Sequence, residues 1–210
     1  MREAASGRSF QEVVRSRRMR REFTDRPVEA AVVEQLVDLA TRAPSAGKTQ
    51  GWHLVVLSGS ETARFWDVTL PAERRAGFRW QGLLRAPMIA LPLADPAAYV
   101  DRYAEPDKAE TGLGTSPEAW PTPYWTVDAS MSVMTLLLGA EDMGLAALLF
   151  GVFQGEAELR AELGIPSHLQ LLGAIALGWP APVSTADTGA GRSAARPRRK
   201  PGEVIHRSGW

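Results

Sequence analysis

Cysteine is absent from the 210 residues. That single absence excludes a disulfide framework, a thiolate nucleophile and the Cys-based zinc sites, and it fits a reducing compartment. Histidine is scarce: His53, His168 and His206 stand far apart without ligand spacing, so no metal site is expected. A dominant charge is lacking too. Lys and Arg number 24 and Asp and Glu number 24, for a net charge of zero, so the chain lacks the broad positive field that gathers nucleic acid. No run approaches the ~20 apolar residues of a membrane span, and MREAASGRSF has no apolar core of a secretory signal. A cytoplasmic location is expected, with neither membrane nor nucleic acid as partner.

Hydrophobic residues make up 45% of the chain, enough for one domain with a sizeable core. That domain is expected over residues 1–182, with 183–210 as a linker and C-terminal tail. Seven tryptophans are present, four of them from Trp66 to Trp125. They either line a cavity or fill a core.

Local signals place the elements. Ser9 and Glu12 have capping-box spacing, which predicts a short helix to about Arg17, followed by the basic run Arg15, Arg17, Arg18, Arg20, Arg21. Val32, Leu36, Val37 and Ala40 keep helical spacing, so a second helix is predicted over about 29–42. Residues 52–58 read as a strand, and 60–85 as helix in two pieces split near Pro71. The run 86–94 reads as a strand with edge character at Pro92. Residues 95–125 are rich in proline and aromatics and show no period, which marks a long functional loop. Helical spacing returns from Thr126 to Met143, with Met131, Met134, Leu137, Leu138 and Glu141 on one face and Gly144 as the stop. Residues 145–153 read as a strand, 156–163 as a helix ended by Gly164, and 169–179 as a final strand. The order is that of an α+β or mixed α/β domain, a central sheet flanked by helices.

One stretch poses a chemical question. Between a helix and the strand at 52 stand Pro44, Ser45, Ala46 and Gly47, small or rigid residues with free N–H groups. They form either a plain turn or a cradle for something flat and anionic. GAGRSA at 189–194 matches G-x-G-x-x-A but follows no strand, so it reads as linker.

Taken in order, the motifs resemble those of the nitroreductase family. Ser16-Arg17-Arg18-Met19-Arg20-Arg21-Glu22-Phe23 is similar to the family's opening pattern apart from Met19. Ala43 to Trp52 resembles its small loop entering a strand, with Lys48 and Gly51 departing from the usual Asn and Pro. Asp128 to Leu145 resembles its Asp-opened helix, with Met134-Thr135 where Gln-Asn is common. Leu149-Phe150-Gly151, Leu163 to Pro166, Gly178 to Pro180 and Arg198-Arg199-Lys200-Pro201 complete the match, which covers about residues 9–206.

The resemblance implies an α+β nitroreductase-like fold with a central mixed or antiparallel sheet, in an intertwined homodimer with FMN at its interface. It implies FMN contacts from Arg17, Arg18, Met19 and Arg21, and from Pro44, Ser45, Ala46, Gly47 and Lys48. The backbone at Phe150-Gly151 would face flavin N5, and Arg199 or its rival Arg198 would clamp the phosphate. Hydride would pass from NADH or NADPH through N5 to a small organic acceptor, nitroaromatic or quinone, in ping-pong fashion, with no catalytic side chain. Trp120, Tyr124 and Trp125 in the long loop are the expected acceptor pocket. The face at 131–138 suits either a dimer core or ordinary monomer packing. Two alternatives stand beside this reading: a flavin-fragmenting dimethylbenzimidazole synthase of the same superfamily, and a non-catalytic flavin- or nucleotide-binding module.

Overall fold

A computed structural model describes residues 7–182 and 196–210. The expected linker at 183–195, with its GAGRSA motif, lies outside the described residues. Five strands, β1 (Trp52–Ser58), β2 (Met88–Ala94), β3 (Ala146–Phe150), β4 (Gln170–Leu171) and β5 (Ala174–Gly178), form one sheet. Its order is β1-β2-β5-β3, with β4 also on β2, and every strand pair is antiparallel. Of the two sheet types expected, the antiparallel one is therefore found.

Helices cover both faces, and the strands' two-residue period shares the core between them. From β2, Ile89, Leu91 and Leu93 point into one core with Phe65, Trp66 and Leu159. These belong to α3 (Thr62–Thr69) and α7 (Glu156–Leu163). Met88 and Ala90 point into the other, against Leu36 of α2 (Ala30–Ala40) and Val133, Leu136 and Ala140 of α6 (Tyr124–Asp142). Burial on both faces is why β2, β3 and β5 read as continuous apolar runs rather than alternating ones. Among the described residues, no helix is long and apolar enough to cross a membrane.

Several local signals produce what they promise. Ser9 and Glu12 make the capping box that opens α1 (Phe10–Ser16). A four-residue helix, α4 (Ala72–Arg75), follows the break at Pro71. Gly164 ends α7 with a φ of 64°, the left-handed conformation that glycine adopts without strain.

Three expectations are corrected. First, β2 is central, not an edge. Pro92 lies opposite Leu54 on β1, and its carbonyl accepts from Leu172 N on the other side. A strand residue's N and C=O point the same way, so the missing N–H falls at the junction between β4 and β5, where no ladder bond is lost. Second, the final strand at 169–179 is two strands, broken at Gly173. Its φ is 130°, and a Cβ there would lie 2.6 Å from the Phe150 carbonyl oxygen. Third, the stretch at 95–125 is no structureless loop. It begins with α5 (Pro96–Ala104), whose N-cap Asp95 accepts from Ala97 N at 3.0 Å and Ala98 N at 3.2 Å, with Pro96 at the first helical position. Asp-Pro was the sequence signal for that start. Its nine residues are too short to establish a period.

Candidate functional site

The arginine segment runs along the outer strand. After Arg17 the chain leaves helical geometry, Met19 bridges Ala147 of β3 in parallel fashion, and Arg20 N donates to Ala147 O at 3.0 Å. Phe23, fully buried, anchors the end of the segment against the sheet and bridges Pro180. Hung between these points, the side chains diverge. Arg17 turns toward α6, beside Leu137 and Glu141, and its Nη1 is buried without a hydrogen-bond partner among the described residues. Met19 faces an apolar cavity of about 260 Å³ with Val133, Met134 and Leu149. Arg18 is exposed and donates to the carbonyls of Arg15 and Arg17. Arg21 stacks over the Trp80 ring at 4.8 Å.

Arg21 meets Phe150 and Gly151, from the end of β3, in a second and larger cleft of about 380 Å³. Phe150 stacks against Trp66 with centroids 6.1 Å apart and planes 7° apart. The wall also includes Phe78, Trp80, Phe153 and Arg74. A Cβ on Gly151 would come within 2.6 Å of the Phe153 ring, so glycine is what lets that ring lie against the backbone here. Phe153 itself is 93% exposed.

The loop at 44–48 is organised differently. Gly47, Lys48 and Gln50 all have positive φ, at 61°, 55° and 54°, and two of these residues have side chains that disfavour it. The conformation is held from outside. Ala46 N donates to Asp128 Oδ2 at 2.7 Å, Arg102 Nε donates to Gly47 O at 2.9 Å, and Gln50 N donates to Ser45 Oγ at 3.0 Å. The expected free N–H groups are therefore largely engaged: Lys48 N goes to Ser45 O and Thr49 N to Ala46 O, and the anion at Ala46 is the chain's own Asp128. Pro44 and Lys48 are exposed. Gly51 follows from packing as well. A Cβ there would lie 2.7 Å from the Tyr99 ring, which a proline would also strike.

Asp128 is the residue that sequence reasoning missed as an anchor. It is 4% exposed and accepts both Ala46 N and the Tyr99 hydroxyl, the latter at 2.8 Å. Burial, then the bond to this carboxylate, holds the Tyr99 phenol well above its ordinary range. The available signal was a lone carboxylate beside the apolar positions 129, 133, 136 and 140 of a long helix.

Trp120, Tyr124 and Trp125 gather around the same region. Trp120 is 7% exposed, its Nε1 donates to Leu113 O at 2.9 Å, and it packs edge-on against Tyr99, Tyr103 and Trp125. Tyr124 is exposed at the start of α6. The tail arginines Arg198 and Arg199 are exposed, and Arg199 Nη2 donates to Glu203 O. Within this chain, then, Arg21, Phe150 and Gly151 share one cleft. Met19 lies with Leu149 on the opposite face of β3 from Phe150, and Arg17 lies against α6. The loop at 44–48 makes its contacts with Asp128, Arg102 and Tyr103.

Comparison with known proteins identifies the family. The family model described as Nitroreductase family matches residues 14–179. A protein named NADH dehydrogenase from Thermus thermophilus is 28% identical over 183 residues, covering 79% of this chain and 83% of the relative. A 4-nitrobenzoate reductase from a Nocardioides species is 29% identical over 201 residues, covering 81% and 80%. Among solved structures, a Desulfovibrio desulfuricans protein in complex with FMN superposes with a TM-score of 0.64 at 22% identity, over 94% of this chain and 95% of that one. That last likeness is one of fold.

Proposed function

Because the chain belongs to the nitroreductase family, we propose that it is an FMN-dependent oxidoreductase that draws on NADH or NADPH and reduces a small organic acceptor. Bound FMN supplies the redox chemistry, taking up two electrons and passing them on. The residues present fit that group. Arg17 carries a buried guanidinium nitrogen without a partner, which a phosphate would satisfy by a charge-assisted bond. Met19 offers an apolar flank, and Gly151 offers backbone without a side chain. Arg21, stacked on Trp80 and, among the described residues, without a carboxylate partner, puts positive charge where negative charge has to be stabilised. The observation that carries the reading is this meeting of Arg21 with Phe150 and Gly151 in one aromatic cleft. Reductant and acceptor use the cleft in turn, which makes the kinetics ping-pong. Likeness to a protein named 4-nitrobenzoate reductase favours a nitroaromatic acceptor.

A homodimer completes the site. The loop at 44–48 faces α5 and Asp128 in its own chain, so a second copy brings such a loop to the cleft. Phe10, Val14, Leu39, Val127 and Met134 are exposed apolar side chains suited to that contact. Tyr124 and Trp125 then border the acceptor, and the tail delivers Arg199 or Arg198 to the phosphate.

The purified protein is expected to be yellow and dimeric and to release FMN on denaturation. Protein that stays colourless after incubation with FMN sinks the proposal. For the tail, Arg199→Ala should weaken FMN roughly ten- to a hundredfold, the worth of one charge-assisted contact, and leave riboflavin binding unchanged. Unchanged FMN affinity in both Arg199→Ala and Arg198→Ala removes the tail from the site.

A further inference from the structure

We propose that the cleft beside Gly151 selects an acceptor that is both aromatic and anionic, an aryl carboxylate, and that Arg74 reads its charge. This rests on the functional reading above and names the substrate class of that same site.

The walls set the first half of the specificity. Trp66, Phe78, Trp80, Phe150 and Phe153 surround about 380 Å³, room for one substituted ring among stacking and edge-on partners. The charges set the second half. Arg21 and Arg74 are in the lining, which holds no Asp or Glu. Arg79 lies over the Trp80 ring at 4.5 Å, beside Arg21 at 4.8 Å. Among the described residues, none of the three has a carboxylate partner. Carboxylates are available close by, because Arg75 pairs with Asp67 at 2.5 Å and Arg85 with Glu22 at 2.8 Å. Local pairing thus neutralises the arginines that flank the cleft and leaves those that face it uncompensated. Arg74 and Arg79 are exposed, so water screens them in part, and their uncompensated charge still favours an anion over a cation.

Arg74 is the arginine free for the acceptor. Arg21 lies against the proposed cofactor contacts, and Arg79 is committed to the Trp80 face. Arg74 donates through Nη1 to Gln154 Oε1 at 2.5 Å, which fixes the guanidinium while leaving Nε and Nη2 for a ligand. A carboxylate is the planar anion that this edge matches. It is not consumed. For a nitroaryl carboxylate the nitro group takes two electrons from NAD(P)H and two protons, one of them from solvent, and leaves as nitroso and water, with NAD(P)⁺ formed.

The test uses the FMN-loaded enzyme with 4-nitrobenzoate and its neutral counterpart, 4-nitrobenzyl alcohol. In the wild type, kcat/KM should favour the carboxylate by about tenfold or more, chiefly through KM, the size of one charge-assisted contact. Arg74→Gln should bring the ratio within about twofold, and Arg74→Lys should retain most of it because the charge survives. A second arm is independent of turnover: calorimetry should detect benzoate binding to the wild type, weakened about tenfold in Arg74→Gln, with benzamide indifferent to the change. Equal use of the two acceptors by the wild type, or a preference that persists in Arg74→Gln, overturns the proposal and leaves the oxidoreductase reading standing. An FMN-loaded enzyme that reduces neither compound overturns both.

Discussion

The molecule contains two aromatic clusters of similar composition, and they differ in how their polar groups are satisfied. Around Trp120, the indole N–H has Leu113 O, the Tyr99 hydroxyl has Asp128, and Asp128 also holds Ala46 N. Around Trp66, the indole Nε1 is buried without a partner among the described residues, the lining arginines Arg21 and Arg74 have no carboxylate partner there, and a cavity remains. From the sequence, the acceptor pocket is expected at Trp120, Tyr124 and Trp125, and the cluster around Trp66 is not singled out. A cluster that satisfies itself spends its donors on rigidity, here the shape of a strained loop. One that leaves charge and volume unfilled is preorganised for something else.

Three changes test that contrast, taken from the largest effect. Asp128→Ala removes the acceptor of two buried donors, so it should destabilise by about 2–5 kcal/mol in denaturant unfolding and weaken FMN through the freed loop. Asp128→Asn, whose amide oxygen can still accept, should fall well short of that. Equal losses for the two variants mean that Asp128 is not the anchor of the 44–48 loop.

Next comes a paired substitution. Trp120→Phe deletes a satisfied donor and strands the Leu113 carbonyl, at about 1–3 kcal/mol. Trp66→Phe deletes a donor that has no partner, so relief of that burden offsets lost packing, and stability should stay within about 1 kcal/mol of wild type. If Trp66→Phe proves the more damaging, the two clusters are not distinguished by hydrogen-bond satisfaction.

The smallest effect is in alkali. The folded-state pKa of Tyr99 lies above its unfolded value of 10.0. Its contribution is therefore complete below pH 10 and is lost as pH rises beyond that value, because ionisation then favours the unfolded chain. Wild-type stability should decline above pH 10 more steeply than that of Tyr99→Phe. Parallel declines would dissociate Tyr99 from the carboxylate beneath it.

Much of the architecture was legible because its causes are local. A capping box lies within four residues, a helix face within eleven, and the apolar run Leu54–Leu57 in the strand Trp52–Ser58 carries its own strand signal. The helix at Pro96–Ala104 was obscured because nine residues cannot display a period, although its Asp-Pro start is plain. Of the candidate site, Arg21, Phe150 and Gly151 were legible by resemblance and share a cleft. Phe78, Arg74 and Phe153 were not, since nothing near them in sequence marks them as facing it.

By itself, then, the sequence determined the exclusions that follow from having no cysteine and no net charge, the order of most elements, and the family, which lives in the order of its motifs. Tertiary structure alone decided which strand is central, why Pro92 is tolerated there, and which aromatic cluster is closed and which open. The physical reason is separation along the chain. Ala46 and Asp128 are 82 residues apart, and whether a buried donor is satisfied depends on the group that folding brings opposite it. No local pattern records that.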